Sequence, residues 1–519
     1  MARDASTSDH LLGDADADPE RPDDDRPRDD RFGLCYIVFL LAGAGTMFPW
    51  NVFITERAYF DVRLFAPPFT PALADSFESV FGVVYLLTNA CAQYAMVVTG
   101  VANRLSPGAM LTAPLFAMAV LLALTGCITY ARRMSGDATM AITLVTLMTL
   151  GVLTALVQAG SFALASVLPP VYNQAIMSGQ AVAGIATAVI ALLSTAAGRS
   201  GDDDASDEEA DAIAAQAAAY FFTSALAVFG CAASTRFLER IPFYAAAAAR
   251  AAQLSGPNRR GMGSAPSHHR LDSDATTVPL LDPWGDGDGD ETAEEDDGED
   301  EDDGEAAGTA GDGRWFYRLA VALTFTVTLC VFPAVTSSVC SAANGATSPP
   351  CLRRPERGTS RLLGDLFVPT LFLVFNVGDL CGRAFANVYP RTTTTTTSST
   401  TTGATTSLST GAAPGGRSVF ACALARFALV PPLWACNVVV PGRWRFPRFL
   451  AGTDVAPALL VAALAFTNGH LASVCMMYGP SRLVPRERAE EGVKMSFACI
   501  AGLGAGSVAS FALYSLLQS

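Results

Sequence analysis

The sequence predicts an all-α protein that threads a membrane eleven times, as a bundle of six helices followed by a bundle of five. Three observations carry this. The 519-residue chain is 51% hydrophobic, with a mean hydropathy of +0.33. Its apolar residues gather in eleven runs, each near the roughly 20 residues that a helix needs to cross a ~30 Å hydrocarbon layer. A long acidic stretch separates the sixth run from the seventh.

In chain order, residues 1–32 are acidic and poor in apolar side chains, and are expected to be a disordered tail. The six spans of the first bundle, within 33–235, fall near 33–55, 76–101, 108–130, 139–167, 170–197 and 212–235. Residues 236–314 are expected to form a disordered acidic loop. The five spans of the second bundle, within 315–519, fall near 315–340, 362–388, 419–440, 455–478 and 491–517. A Thr/Ser-rich low-complexity spacer parts spans 8 and 9. Two bundles on a flexible linker suggest a transporter whose substrate sits between them near the midplane.

The formal charge of −15 is local to the tail, the 201–211 segment and the central loop, so it does not argue for a basic partner. Basic residues are more numerous on the side that holds the N-terminus, which places that terminus in the cytoplasm and the C-terminus outside or in a lumen. No cleavable signal is expected, because the chain starts with an acidic segment. The twelve cysteines show no metal-ligand spacing. Cys340 and Cys351 bracket a short polar loop on the outer, oxidising side, where a disulfide between them is expected.

Polar residues inside the spans carry the functional signal. Span 8 holds Asn376, Asp379 and Arg383. A charge at mid-membrane costs roughly 2.5–3.5 kcal/mol and usually faces a water-filled cavity. Asp379 and Arg383 stand at i,i+4 with the acid first, the favourable order, and Asn376 and Phe372 share their face. A polar stripe along a pathway and an ion pair that locks two helices are the competing readings. Span 1 places Met47, Trp50 and Ile54 on one face beside Pro49. Span 4 carries Gln158, flanked at helical spacing by Thr154 and Ser161, either interhelical glue or a substrate contact. In span 5, Gly179 and Gly184 allow another backbone to approach closely.

Four segments in chain order, GAGTMFPWN in span 1, GSFALASVLPPVYNQAIMSGQAVAG across spans 4 and 5, FNVGDLCGR in span 8 and FTNGHLASVCMMYGP in span 10, resemble the equilibrative nucleoside transporter family. The resemblance implies a major-facilitator-like two-bundle fold with a cytoplasmic N-terminus. It implies that Asp379 and Arg383 bind ribose hydroxyls and that Gln158 faces the base. Met47, Trp50, Ile54 and Phe372 would wall the base, and Gly179 and Gly184 match the glycines of the family's span 5. His470 stands where the family commonly has an aromatic residue.

The function so implied is transmembrane movement of nucleosides, or also nucleobases, by alternating access, either facilitative or linked to protons through Asp379, Glu78 or His470. A carrier of another small organic solute or cation on the same fold is the alternative. An intramembrane aspartyl enzyme is more remote, since it needs a second mid-membrane carboxylate. No P-loop is present, so ATP is not an expected partner. No nucleic acid, cofactor or metal is expected either. The expected partners are a nucleoside and the lipid bilayer, and the oligomeric state is left open. The plasma membrane is the expected location, with a vacuolar or lysosomal membrane as the alternative.

Overall fold

The computed structural model describes residues 30, 33–64, 77–101, 105–106, 108–131, 134–196, 207–247, 304–342, 360–388, 414–439, 445–483 and 485–518. Among these, eleven helices are long and apolar enough to span a membrane. The first half comprises α1 (Leu34–Thr55), α2 (Phe77–Thr99), α3 (Ala113–Ile128), α4 (Gly136–Ser166), α5 (Val171–Ala196) and α6 (Asp207–Thr235). The second comprises α7 (Gly304–Val331), α8 (Phe367–Phe385), α9 (Gly416–Ala425, continued by irregular turns to Trp434), α10 (Val455–Ser481) and α11 (Pro485–Gln518). Odd-numbered helices start at the face where α1 begins, here the near face, and even-numbered ones at the far face.

One operation relates the two halves. In the first, α1 packs on α5 and α2 on α4. In the second, α7 packs on α11 and α8 on α10. The contacts between halves obey the same rule, with α5 against α8 and α10, and α11 against α2 and α4. Adding six to a helix number in the first half gives its counterpart, and only α6 has none. That is the six-plus-five arrangement expected from the spacing of the apolar runs.

Lipid offers no hydrophobic reward for helix pairing, so close backbone approach and polar contacts must supply it. The glycines show how. A side chain at Gly43 or Gly179 would run into the backbone of the facing helix in the α1–α5 pair, at Ile176 and Leu40 respectively. Gly382 and Gly469 do the same service between α8 and α10. Side chains such as Val508, Phe511 and Leu226 remain more than two-thirds exposed, as a lipid-facing surface requires.

The structure moves three edges of the expected layout. Asp30, assigned to the tail, accepts from the backbone N–H of Cys35 and Tyr36 and from the Tyr172 hydroxyl, so it caps α1 and ties it to α5. Residues 238–247, assigned to the loop, form helical turns. Leu238, Ile241 and Tyr244 are buried there and Phe243 meets Tyr172 at 5.5 Å, apolar contacts that order the segment. Helix α7 begins at Gly304 rather than near 315, running on before Trp315 beyond the apolar run. The rest of the expected disordered tail and loop, and the Thr-rich spacer, lie outside the described residues.

Candidate functional site

Two buried polar clusters occupy equivalent positions in the two halves. The first is built on α8. The i,i+4 spacing brings Arg383 Nε to 2.7 Å from Asp379 Oδ2. Asn468 of α10 donates its side-chain N–H to Asp379 Oδ1 at 2.7 Å and accepts from Thr328 of α7 at 2.8 Å. Arg383 reaches across to the other half, where its Nη1 donates to the Met177 carbonyl of α5. Gln174 of α5 answers by donating to the Arg383 carbonyl at 3.3 Å, and Tyr36 of α1 donates to Gln174 at 2.9 Å. Asp379 and Arg383 are only 4% and 5% exposed, so a solute reaches them only when the halves part.

The second cluster is built on α2. Asn89 and Gln93 also stand at i,i+4, with Gln93 donating to Asn89 Oδ1 at 2.9 Å. Both donate to Gln158 Oε1 of α4, at 2.8 Å from Gln93 and 3.5 Å from Asn89. The crossing contact here comes from α11, whose Ser496 hydroxyl donates to Gln93 Oε1 at 3.0 Å. The two clusters thus share one plan. An i,i+4 polar pair on α2 or α8 holds an amide on α4 or α10 and touches the opposite half through α11 or α5. One cluster is neutral and the other ionic.

An aromatic stack lies on the far-face side of each cluster. Trp50 of α1 stacks on Tyr85 of α2 with centroids 4.9 Å apart and planes at 17°. Phe332, just past α7, stacks on Phe375 of α8 at 3.8 Å and 9°. Tyr85 and Phe375 each precede the first member of their polar pair by one helical repeat. The Tyr85 hydroxyl donates to Thr154 at 3.1 Å, which satisfies the phenol inside the membrane.

The other expected site residues fall at varied distances from these clusters. Phe372 sits in the second aromatic group, 4.8 Å from Phe332 by ring centroids. Asn376 donates to its own helix, at the Phe372 carbonyl, and its Oδ1 occupies the space that a side chain at Gly184 of α5 would need. Met47 is half-buried on α1, whereas Ile54, at the far end of the same face, is 45% exposed. His470 packs its ring among Phe385 and Phe466. Cys340 is disulfide-bonded, while Cys351, its expected partner, lies outside the described residues, as does the Glu78 side chain.

Residues that the sequence reading missed are Asn89, Gln93, Gln174, Asn468 and Ser496. The amides of α2 carried a usable signal, since two of them at i,i+4 in an apolar run must share a face. Asn468 lay inside a quoted motif, next to the histidine that drew attention instead.

The model of a family described as "Nucleoside transporter" matches residues 144–402 and 410–515. Equilibrative nucleoside transporter 1 of Rattus norvegicus is 27% identical over 518 residues, spanning 94% of this chain and 98% of its own. Equilibrative nucleoside transporter 2 of Homo sapiens is 27% identical over 517 residues, spanning 95% and 99%. Among solved structures, the major facilitator superfamily transporter FucP in the outward conformation aligns with a TM-score of 0.44 at 12% identity, over 93% of this chain and 97% of that one. A double-tryptophan mutant of XylE aligns with a TM-score of 0.48 at 11% identity, over 92% and 86%. With the family model matched over well more than half of its residues, this chain belongs to the nucleoside transporter family.

Proposed function

We propose that this protein carries nucleosides across a membrane by alternating access of its two halves, with the ribose held at Asp379 and Arg383 and the base near Gln158. The observation that carries the reading is the buried pair on α8, bonded across to α5 through Arg383. A carboxylate that already accepts from Arg383 and Asn468 keeps lone pairs for hydroxyl donors, and a guanidinium has five N–H groups to offer. Donors and acceptors side by side, in a dry site between two moving halves, suit a vicinal diol. The relatives are named as equilibrative nucleoside transporters, and this reading takes their substrate class for this chain. Among the described residues no second carboxylate bonds to Asp379, whereas the aspartyl enzyme needs two carboxylates that share a proton. In this reading the near face is cytoplasmic and the plasma membrane is the host.

The test is uptake of labelled uridine and adenosine into a host lacking its own nucleoside transporters. Asp379→Ala and Arg383→Ala should each abolish or strongly reduce uptake while protein still reaches the membrane. Each lost charge-assisted contact should weaken binding by roughly 1.5–3 kcal/mol, about ten- to a hundredfold. The exchanged double variant Asp379→Arg with Arg383→Asp restores an ion pair but reverses donor and acceptor, and it should not rescue. If the exchanged variant moves uridine at the original rate, the pair is a helix bolt and the ribose assignment is wrong.

A further inference from the structure

The neutral cluster on α2 is more elaborate than helix packing needs. Asn89, Gln93, Gln158 and Ser496 are 1%, 0%, 4% and 1% exposed, respectively. Buried amides in a membrane are costly unless their hydrogen bonds are made. Here the bonds are made in one direction. The Ser496 hydroxyl donates to Gln93, and Gln93 donates to both Asn89 and Gln158. Asn89 adds a second, longer donation to the same Gln158 oxygen. Both lone pairs of Gln158 Oε1 are thereby engaged. Its Nε2 has no hydrogen-bond acceptor among the described residues, yet it is not sealed away from solvent as an orphaned buried group. Turning the Gln158 amide alone would set its NH2 against two other NH2 groups, and reversing it needs Asn89, Gln93 and the Ser496 hydroxyl to turn with it, so the network holds its orientation as a unit.

We propose that Asn89 and Gln93 are positioning residues that fix Gln158 as a hydrogen-bond donor toward the substrate. The transporter then selects for an acceptor on the base edge. The proposal rests on the reading that the base lies at Gln158, and it specifies what is read there. The base edge adjoining the sugar carries an acceptor in every common nucleoside, N3 in purines and O2 in pyrimidines. A donor fixed opposite that edge accepts both classes. An amide free to turn would present its oxygen as readily and lose this selection. The ionic cluster would thus read the sugar, while its neutral counterpart in the other half reads the feature that all bases share.

The experiment measures inhibition of labelled uridine uptake by adenosine, 3-deazaadenosine and 2′,3′-dideoxyuridine in cells expressing the full chain. In the wild type, 3-deazaadenosine, which has C–H in place of N3, should bind about tenfold more weakly than adenosine, the value of one hydrogen bond. In Gln93→Met, which keeps length and removes the amide, that ratio should fall toward one. The penalty for the missing ribose hydroxyls should stay unchanged. A merely structural role would weaken all ligands together. Gln93→His, which keeps an N–H for Gln158, should restore the ratio. If Gln93→Met does not reach the membrane, Asn89→Leu, which removes the second donor, reads the same ratio. A wild type that transports uridine but does not distinguish 3-deazaadenosine from adenosine overturns the proposal. So does a ratio that survives Gln93→Met. A wild type that transports no nucleoside instead fails the underlying reading, so the two failures are told apart.

Discussion

At the scale of single residues, the membrane made the charged pair conspicuous and left its partners unseen. Asp379 and Arg383 stand out in any apolar run, and their i,i+4 spacing makes their mutual bond a matter of helix geometry. Asn468 and Met177 come from helices 89 and 206 residues distant, and no one-dimensional pattern states which rung of one helix faces which rung of another. The same holds for Glu56, just beyond α1. It is 7% exposed, and burial raises its carboxyl from about 4.5 to about 7. The native state therefore holds its proton more tightly than the unfolded chain. The Glu56 contribution is most favourable below the unfolded value and is lost as pH rises through the folded one. Thermal unfolding in nanodiscs should give a higher Tm at pH 5 than at pH 8, and Glu56→Gln should reduce that difference. An undiminished pH dependence in Glu56→Gln would show that the carboxyl is better hydrated than its burial implies.

Among whole elements, helices were legible and their interruptions were not. The apolar runs announced eleven spans, but the end of the α-helical turns of α9 at Ala425 was not read, although Pro431 and Pro432, which cannot donate to the carbonyls one turn back, stand just beyond it. At that junction stands Arg426, 3% exposed inside the second half. Its guanidinium donates to the Thr324 carbonyl, to Thr328 Oγ1 at 2.8 Å, to the Leu464 carbonyl at 3.0 Å and to Thr467 Oγ1 at 3.0 Å. One side chain thus joins α9 to α7 and α10, and through Thr328 and Asn468 it meets the network around Asp379. A lysine ammonium is a point charge with three donors and cannot reproduce the planar fork. Arg426→Lys should therefore lower Tm, with each orphaned buried acceptor costing roughly 1–3 kcal/mol. It should leave the ratio of uridine to 2′,3′-dideoxyuridine affinity as it is, because the proposed ribose contacts, Asp379 and Arg383, remain. A changed ratio at unchanged Tm would place Arg426 in the binding site rather than behind it.

For the molecule as a whole, the two glycines Gly492 and Gly502 of α11 separate motion from packing. A side chain at Gly492 would run into the Phe162 carbonyl and the Ser166 hydroxyl of α4, in the other half. A side chain at Gly502 would meet the Ala322 backbone of α7, in its own half. Around Gly492, Ala489 and Val493 pack with Ala159 and Ala163 of α4 and Met96 of α2, so this near-face contact is where the halves touch along α11. Alternating access requires that contact to form and break in every cycle, whereas contacts inside a half persist throughout. A wedge at Gly492 therefore acts on the equilibrium between states, and a wedge at Gly502 acts on the fold. Gly492→Leu should express near normally and bind uridine within a few fold of the wild type in detergent, yet lose most uptake because the near face no longer closes. Gly502→Leu should lose stability by roughly 1–3 kcal/mol, the cost of overpacking, and the molecules that fold should still transport. Uptake per surface molecule, with Tm measured beside it, separates the two. If Gly492→Leu transports at the wild-type rate, closure of α11 on α4 is not a step of the cycle, and the movement must work through the contacts of α5 with α8 and α10.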